Sequence, residues 1–226
     1  MKIIAILGSP RGMNGYTGSL LEPMLAAARS AGAETECFSL AELSVLPCKG
    51  CVKVCHTRGV CMLDDDYATI REAMLKADGF IFATPNYNFS VSAQMKALLD
   101  RCGVLLHCQM LKGKYAATVV TAGGSDPEEV HAYLSNILMH FGMRLVGGVS
   151  AVELQLEDPE QKAEVVEQAA ALGRELVQAI QNRKIFPGQQ EKHDQIFEIM
   201  AYLVAAKKDE WPFAYEYCTA NPDMAI

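Results

Sequence analysis

Residues 1–21, MKIIAILGSPRGMNGYTGSLL, decide the fold. Residues 3–7 are an unbroken apolar run, the pattern of a strand buried on both faces rather than one with a wet side. The run is too short for a signal-peptide core or a membrane span. It ends at Gly8-Ser9-Pro10, a turn, and an amphipathic helix is expected over 17–30, with Leu20, Leu21, Met24, Leu25 and Ala28 on one stripe. Pro23 lies inside that helix and Gly32 marks its stop. Between strand and helix, residues 8–19 hold four glycines, the small hydroxyls Ser9, Thr17 and Ser19, one arginine (Arg11) and no acid. Free backbone N–H groups at a helix start, aligned with the helix dipole, make an anion site. The loop has no Gly-Lys-Ser/Thr and no G-x-G-x-x-G, so a terminal phosphate monoester fits it better than a nucleoside triphosphate or a pyrophosphate. The competing reading is a solvated glycine-rich turn.

Working outward, the same strand–loop–helix unit repeats. Strands are expected at 34–39, 79–84 (stopped by Pro85), 115–121 and 144–152. Helices are expected at 64–77, 91–102, 159–182 and, most clearly, around Val130, Tyr133, Leu134, Ile137, Leu138 and Phe141. Five continuous apolar strands alternating with helices predict a parallel sheet covered on both faces, a three-layer α/β sandwich. The domain is expected over 1–184, with a cysteine-rich insertion at 48–61. Residues 185–226 read as an extension: a turn at 186–188, an amphipathic helix over 190–209, then four aromatics in 211–217, expected to pack on the domain or on a neighbouring subunit.

Open parallel sheets bind ligands at the carboxyl ends of their strands. Two further loops stand there. Residues 84–90, with Pro85, Asn86, Tyr87, Asn88 and Phe89, offer aromatic faces for a planar ring and amides for its edges; either aromatic could equally pack on the next helix. Residues 121–125 begin Thr121-Ala122-Gly123-Gly124, and the glycines allow a flat ligand close to the backbone. The plain alternative is a strand-to-helix turn capped by Asp126.

The chain carries a formal charge of -7 over 226 residues, so it presents no basic footprint for nucleic acid. No segment approaches 18 consecutive apolar residues, which predicts a soluble, cytoplasmic protein without membrane contact. Four of eight cysteines crowd into 48–61. In a reducing compartment they read as something other than a disulfide framework. Cys48-x2-Cys51-x3-Cys55-x5-Cys61 is compact enough for a [4Fe–4S] cluster. Four thiolates also suit zinc, and a metal-free loop of reduced thiols is the third reading. Lys49, Lys53, His56 and Arg58 would offset the charge of a bound cluster. Cys37, Cys102, Cys108 and Cys218 read as small buried hydrophobes. His56 reads as a lone exposed histidine, and Asp64-Asp65-Asp66 as a helix N-terminus.

Three segments carry a resemblance: GSPRGMNGYTGSLL at 8–21, ATPNYNFSVSAQMKALLDR at 83–101 and TAGGS at 121–125. Together they resemble the NADPH-dependent FMN reductase and iron–sulfur flavoprotein branch of the flavodoxin-like family, over about residues 1–150. The resemblance implies a flavodoxin-like sheet of order 2-1-3-4-5 and FMN as cofactor. Ser9, Arg11, Asn14, Thr17 and Ser19 would hold the phosphate. Pro85, Asn86, Tyr87, Asn88 and Phe89 would line the isoalloxazine, and Thr121, Gly123 and Gly124 would border its far edge. Relatives space their cysteines x2, x2 and then a longer gap; this chain has x3 in the middle.

The flavin would carry the chemistry, so no protein acid or base is expected. The leading expectation is an NAD(P)H-dependent reductase of flavin, quinone or another small acceptor. A second is an iron–sulfur flavoprotein exchanging electrons with a ferredoxin-like protein through a cluster at Cys48, Cys51, Cys55 and Cys61. A third is a non-catalytic FMN-binding redox sensor. A homodimer or homotetramer, with flavin near the subunit interface, is implied as well.

Overall fold

The computed structural model describes residues 1–124 and 126–221; Ser125, the last residue of the third loop segment, and 222–226 lie outside the described residues. In chain order the elements are β1 (Lys2–Leu7), a 3₁₀ turn (Gly12–Asn14), α1 (Tyr16–Ser30), β2 (Glu34–Ser39), α2 (Val52–Arg58), α3 (Tyr67–Lys76), β3 (Gly79–Tyr87), β4 (Ser90–Val91), α4 (Ala93–Arg101), α5 (Gly103–His107), β5 (Tyr115–Ala122), α6 (Pro127–His140), β6 (Arg144–Val152), α7 (Glu153–Glu157), α8 (Pro159–Gln181), α9 (Pro187–Ala206) and α10 (Pro212–Ala220).

The sheet runs β2-β1-β3-β5-β6, all parallel. Counted along the parallel strands alone this is the flavodoxin-like order 2-1-3-4-5. A sixth strand corrects the expected five: two-residue β4 folds back antiparallel on the end of β3. Pro85 does not stop β3 either. Pairing with β1 ends at Ala83, so beyond it β3 is an edge on that side. A proline's missing N–H is tolerated there.

Alternate residues of each strand enter opposite cores. Ile4, Ile6, Phe80 and Phe82 join Met74, Leu98 and Leu134 beneath α3, α4 and α6. Ile3, Ala5, Leu7 and Ile81 join Leu21, Met24 and Leu176 beneath α1 and α8. Helices α1 and α8 approach so closely that a Cβ on Gly173 would stand 2.3 Å from the Met24 carbonyl oxygen.

Beyond the sheet the structure departs from several expectations. Phe186-Pro187-Gly188 starts a helix instead of a turn, because proline suits a first helical position. The aromatic tail forms α10 and packs on its own chain: Trp211, Ala214 and Cys218 join Val104, Cys108 and Val204 in a third cluster. Cys102, Cys108 and Cys218 are buried as expected, but Cys37 is exposed on edge strand β2. The Asp64–Asp66 run does not charge the first turn of α3. Asp66 instead accepts the Ser44 N–H, and Asp65 accepts the Leu46 and Tyr67 N–H groups, pinning the chain that leads into the cysteines. Among the described residues no helix is long and apolar enough to cross a membrane.

Candidate functional site

The three loops meet at the carboxyl edge of the sheet, held by three short ties. The Gly8 N–H donates to the Ala83 carbonyl at 2.7 Å. The Ser92 hydroxyl donates to the Gly8 carbonyl at 2.6 Å, while its backbone N–H donates to Thr84 Oγ1 at 3.1 Å. The Thr17 and Thr121 hydroxyls, both buried, lie 2.7 Å apart. Ser92 also caps α4 by accepting the Met95 N–H. A Cβ on Gly8 would meet Met95 Cβ at 2.8 Å and Ser92 Oγ at 2.9 Å. The Ser-x-x-Met spacing at 92–95 thus locks the first loop against the second.

One cleft results, lined by Ser9, Arg11 and Thr17 from the first loop, Pro85, Asn86 and Tyr87 from the second, and Thr121 and Gly123 from the third. Gly15, Tyr16, Ala122 and Glu153 line it too. Sequence reasoning missed these four, and Glu153 had a signal: it follows the carboxyl end of β6, an edge strand, whereas the three expected loops follow the central strands β1, β3 and β5. Asn14 and Ser19 stand outside, on an adjoining hollow shared with Arg11 and Glu153. The Ser19 hydroxyl turns back to donate to the Tyr16 carbonyl. Gly124 lies beyond the lining. Asp126 occupies the N-cap position of α6 but makes no side-chain cap bond, and its φ is 50°.

The first loop is built to receive an anion. Gly15 caps α1 without any side-chain hydrogen bond, so the first-turn N–H groups are not consumed by a cap. A Cβ on Gly15 would stand 3.0 Å from Ser9 Oγ and 3.2 Å from Arg11 Cβ. The glycine leaves a cradle that a side chain would fill. Ser9 is buried and its Oγ accepts the Arg11 N–H at 3.2 Å. A phosphate fits this donor set: N–H groups, hydroxyls and one guanidinium. Tyr16 lines the cleft wall, its phenol donating to Glu157 at 3.0 Å, and that bond pushes the phenol pKa up.

The second loop ends in a hairpin. Asn86 pairs with Val91 and Tyr87 with Ser90, leaving Asn88 and Phe89 as the two turn residues at φ 51° and 60°. Asparagine tolerates positive φ; a phenylalanine there is strained. The turn holds Phe89 66% exposed beside a half-exposed Tyr87; Tyr87 lines the cleft, whereas Asn88 and Phe89 stand outside its lining.

A second cavity holds the four clustered cysteines. Cys48, Cys51, Cys55 and Cys61 all line it, with Lys49, Arg101 and apolar walls from Val52, Leu63 and Val104. The x3 spacing has a simple basis. Cys51 is the N-cap of α2 and Cys55 lies four residues on, so the two share a helix face. N–H groups already point at sulfur: Gly50 to Cys48 at 3.4 Å and Arg101 to Cys61 at 3.3 Å. The Arg101 guanidinium is buried, paired with Asp65, stacked over Tyr67 at 4.3 Å, and its Nε has no partner. Burial and the three neighbouring thiols push the Cys55 pKa up to about 11.

A bound cation would reverse that penalty, and the orphaned Nε suits an anionic acceptor such as cluster sulfide. The donor set therefore fits a metal–sulfur group. Among the described residues no three His, Cys, Asp or Glu side chains converge as a ready-made ligand set, so a metal would have to draw the sulfurs together. His56, expected to be exposed and idle, is buried beside this cavity. Its Nε2 lies 2.7 Å from His107 Nδ1.

The model of the NADPH-dependent FMN reductase family matches residues 1–157. A protein of Archaeoglobus fulgidus named iron–sulfur flavoprotein is 31% identical over 210 residues, 92% of each chain. One of the same name from Methanosarcina thermophila is 39% identical over 152 residues, 65% of this chain and 78% of that one. Among solved structures, an NADH:FMN oxidoreductase in apo form superimposes with a TM-score of 0.58 at 25% identity, over 76% of this chain and 88% of that chain. Since the family match runs from β1 through α7 and so takes in all three loops of the cleft, the chain belongs to the NADPH-dependent FMN reductase family, with iron–sulfur flavoproteins among its relatives.

Proposed function

We propose that the chain is an FMN-dependent oxidoreductase whose four clustered cysteines hold an iron–sulfur cluster, making it an iron–sulfur flavoprotein. The observation that carries the reading is the pair of cavities: one lined by phosphate donors and flat loop edges, the other by four thiols. When bound, FMN supplies transfer of a hydride or of single electrons. Ser9, Thr17 and the first-turn N–H groups of α1 hold its phosphate, Arg11 offsets its charge, and the Asn14 amide stands at the rim as a further donor. Ser19 contributes from the next turn through its position alone, its hydroxyl being engaged. Pro85, Asn86 and Tyr87 line one side of the ring and Thr121 and Gly123 the other, with Asn88, Phe89 and Gly124 framing the mouth. Cys48, Cys51, Cys55 and Cys61 ligate the cluster, with the Arg101 and Gly50 N–H groups donating to sulfur.

A second reading keeps the flavin and omits the cluster: an NAD(P)H-dependent reductase of flavin, quinone or another small acceptor. The exposed Tyr87 and Phe89 rings favour it, as a platform on which a planar donor or acceptor stacks. Both readings place the protein in a reducing, cytoplasmic setting and allow a homodimer or homotetramer. All eight cysteines are unpaired.

The test is an anaerobic absorption spectrum of the untagged protein with iron, sulfide and flavin assays. Flavin with about four irons per chain, as four-thiolate ligation implies, supports the first reading. Flavin without iron, bleached rapidly by NAD(P)H, supports the second. A colourless protein that takes up no added FMN overturns both. In the double variant Ser9→Ala/Thr17→Ala, flavin affinity is expected to fall by about 1–3 kcal/mol per hydroxyl lost. Unchanged retention would remove the phosphate assignment.

A further inference from the structure

Helix α2 carries Cys55 and is capped by Cys51, yet its seven residues are too few to hold a helix alone. The C-terminal segment supplies the bracing. The Trp211 indole stacks on the His56 imidazole at 4.1 Å between ring centroids and on His107 at 5.1 Å. His56 Nδ1 lies 2.8 Å from the Val52 carbonyl oxygen within α2, so the stack meets α2 at His56, the residue after Cys55, and reaches α5 through the His56–His107 contact. At the next residue, the Thr57 hydroxyl donates to the Lys53 carbonyl at 2.7 Å within α2 and lies 3.3 Å from the Glu210 carbonyl oxygen. At the far end Gly59 closes α2 with φ 73°, and the Phe213 ring covers it. A Cβ on Gly59 would stand 2.3 Å from Phe213 Cζ. The tail therefore touches α2 from His56 to its C-cap, directly after Cys55, and Cys55 itself packs against the cluster of Trp211, Ala214 and Cys218.

We propose that α10 with Trp211 is a positioning segment for the cysteine-lined cavity. Trp211 and Phe213 hold α2 so that Cys51 and Cys55 face Cys48 and Cys61, and the cavity captures its metal only while they do. The proposal deepens the cluster reading and rests on it. Among the described residues no three of these cysteine side chains form a ready-made ligand set, so whatever sets the pose of α2 sets how far the sulfurs must travel.

The full-length, FMN-loaded variants Trp211→Ala, Phe213→Ala and Trp211→Phe test it by two readouts. In metal-free protein, the rate of iodoacetamide alkylation at each cysteine is followed by peptide mass mapping. Trp211→Ala and Phe213→Ala are expected to speed alkylation of Cys51 and Cys55 about tenfold, as a locally opened segment would, with Cys37 unchanged as an internal standard. After anaerobic reconstitution with ferrous iron and sulfide, iron per flavin is expected to fall by at least half in the same variants, while flavin content stays at the wild-type level. Trp211→Phe keeps a ring against His56 and is expected to restore most of both. Wild-type rates and iron content in both alanine variants overturn the proposal. So does a Trp211→Phe protein as labile as Trp211→Ala, which would make the stack irrelevant. If wild-type protein takes up no iron, the cluster reading fails by itself, and the alkylation rates still decide whether α10 positions α2.

Discussion

Thr17 and Thr121, separated by 104 residues, share a buried hydroxyl contact that joins the first loop of the cleft to the third. Thr121→Val keeps the shape and removes the partner. It is expected to lower stability by about 1–3 kcal/mol, the penalty for a buried hydroxyl left unsatisfied, and to loosen FMN, both read by denaturant titration with and without flavin. Asp65 and Arg101 form a stronger case. Their side chains are almost fully buried, and the Asp65 carboxylate also anchors the chain entering the cysteine segment. Asp65→Asn leaves a buried guanidinium uncompensated and is expected to cost about 3–5 kcal/mol. Burial pushes the Asp65 pKa up, but the Arg101 hydrogen bond and two backbone N–H groups outweigh it and hold the pKa below the ordinary value. The stability from this pair is therefore complete above the ordinary carboxylate range and is lost as pH falls through the folded-state value.

His107 titrates in the same sense for a different reason. Burial first, then the neighbouring His56, lowers its pKa to about 4. The unfolded imidazole takes its proton at about 6.5. Its contribution to stability is thus present at neutral pH and shrinks as pH falls from the unfolded value toward the folded one. An NMR titration of its ring proton checks this: a midpoint near the unfolded value would mean that the ring is not enclosed between α5 and Trp211.

Among elements, the β3–β4 hairpin sets local strain against a binding surface. Phe89 occupies a positive-φ turn position that suits glycine. Phe89→Gly is expected to raise stability by up to about 1 kcal/mol, by relieving left-handed strain, while weakening flavin or substrate stacking at the mouth. A higher melting temperature with lower affinity is the expected pattern, and unchanged affinity would remove Phe89 from the site. The α1–α8 pair tests packing instead. Gly173→Ala drives a methyl into the Met24 backbone, and overpacking of this kind is expected to cost about 1–3 kcal/mol. Because α1 also presents its N-terminus to the cleft, flavin affinity should fall with it.

On the scale of the whole molecule, one sheet divides two cores, the cleft lies at the carboxyl ends of its strands, and the cysteine cavity lies among α2, α4 and α5. Continuous apolar runs made the parallel strands legible, and the glycine-rich passage after β1 marked a loop that lines the cleft, because both are properties of contiguous residues. The strand order was legible only through the family resemblance. Helix α2, β4, α5 and α7 were not legible, each being too short for a periodic signal. Pro85 and Pro187 misled for a shared reason: proline ends an element only where its N–H would have had a partner, and here it had none. The Asp64–Asp66 carboxylates read as helix charge because their real partners, Ser44, Leu46 and Arg101, are 19 to 36 residues away.

The sequence by itself determined the layered α/β class, three loops at the carboxyl ends of its strands, a local four-cysteine motif and a family, since each is written in neighbouring residues. Only the tertiary structure decided that Thr17 meets Thr121, that Glu153 enters the cleft, that Arg101 serves Cys61, and that the aromatic tail turns back on α2. Those are contacts between distant segments, chosen by burial and by the need to pair buried polar groups, which no local pattern encodes.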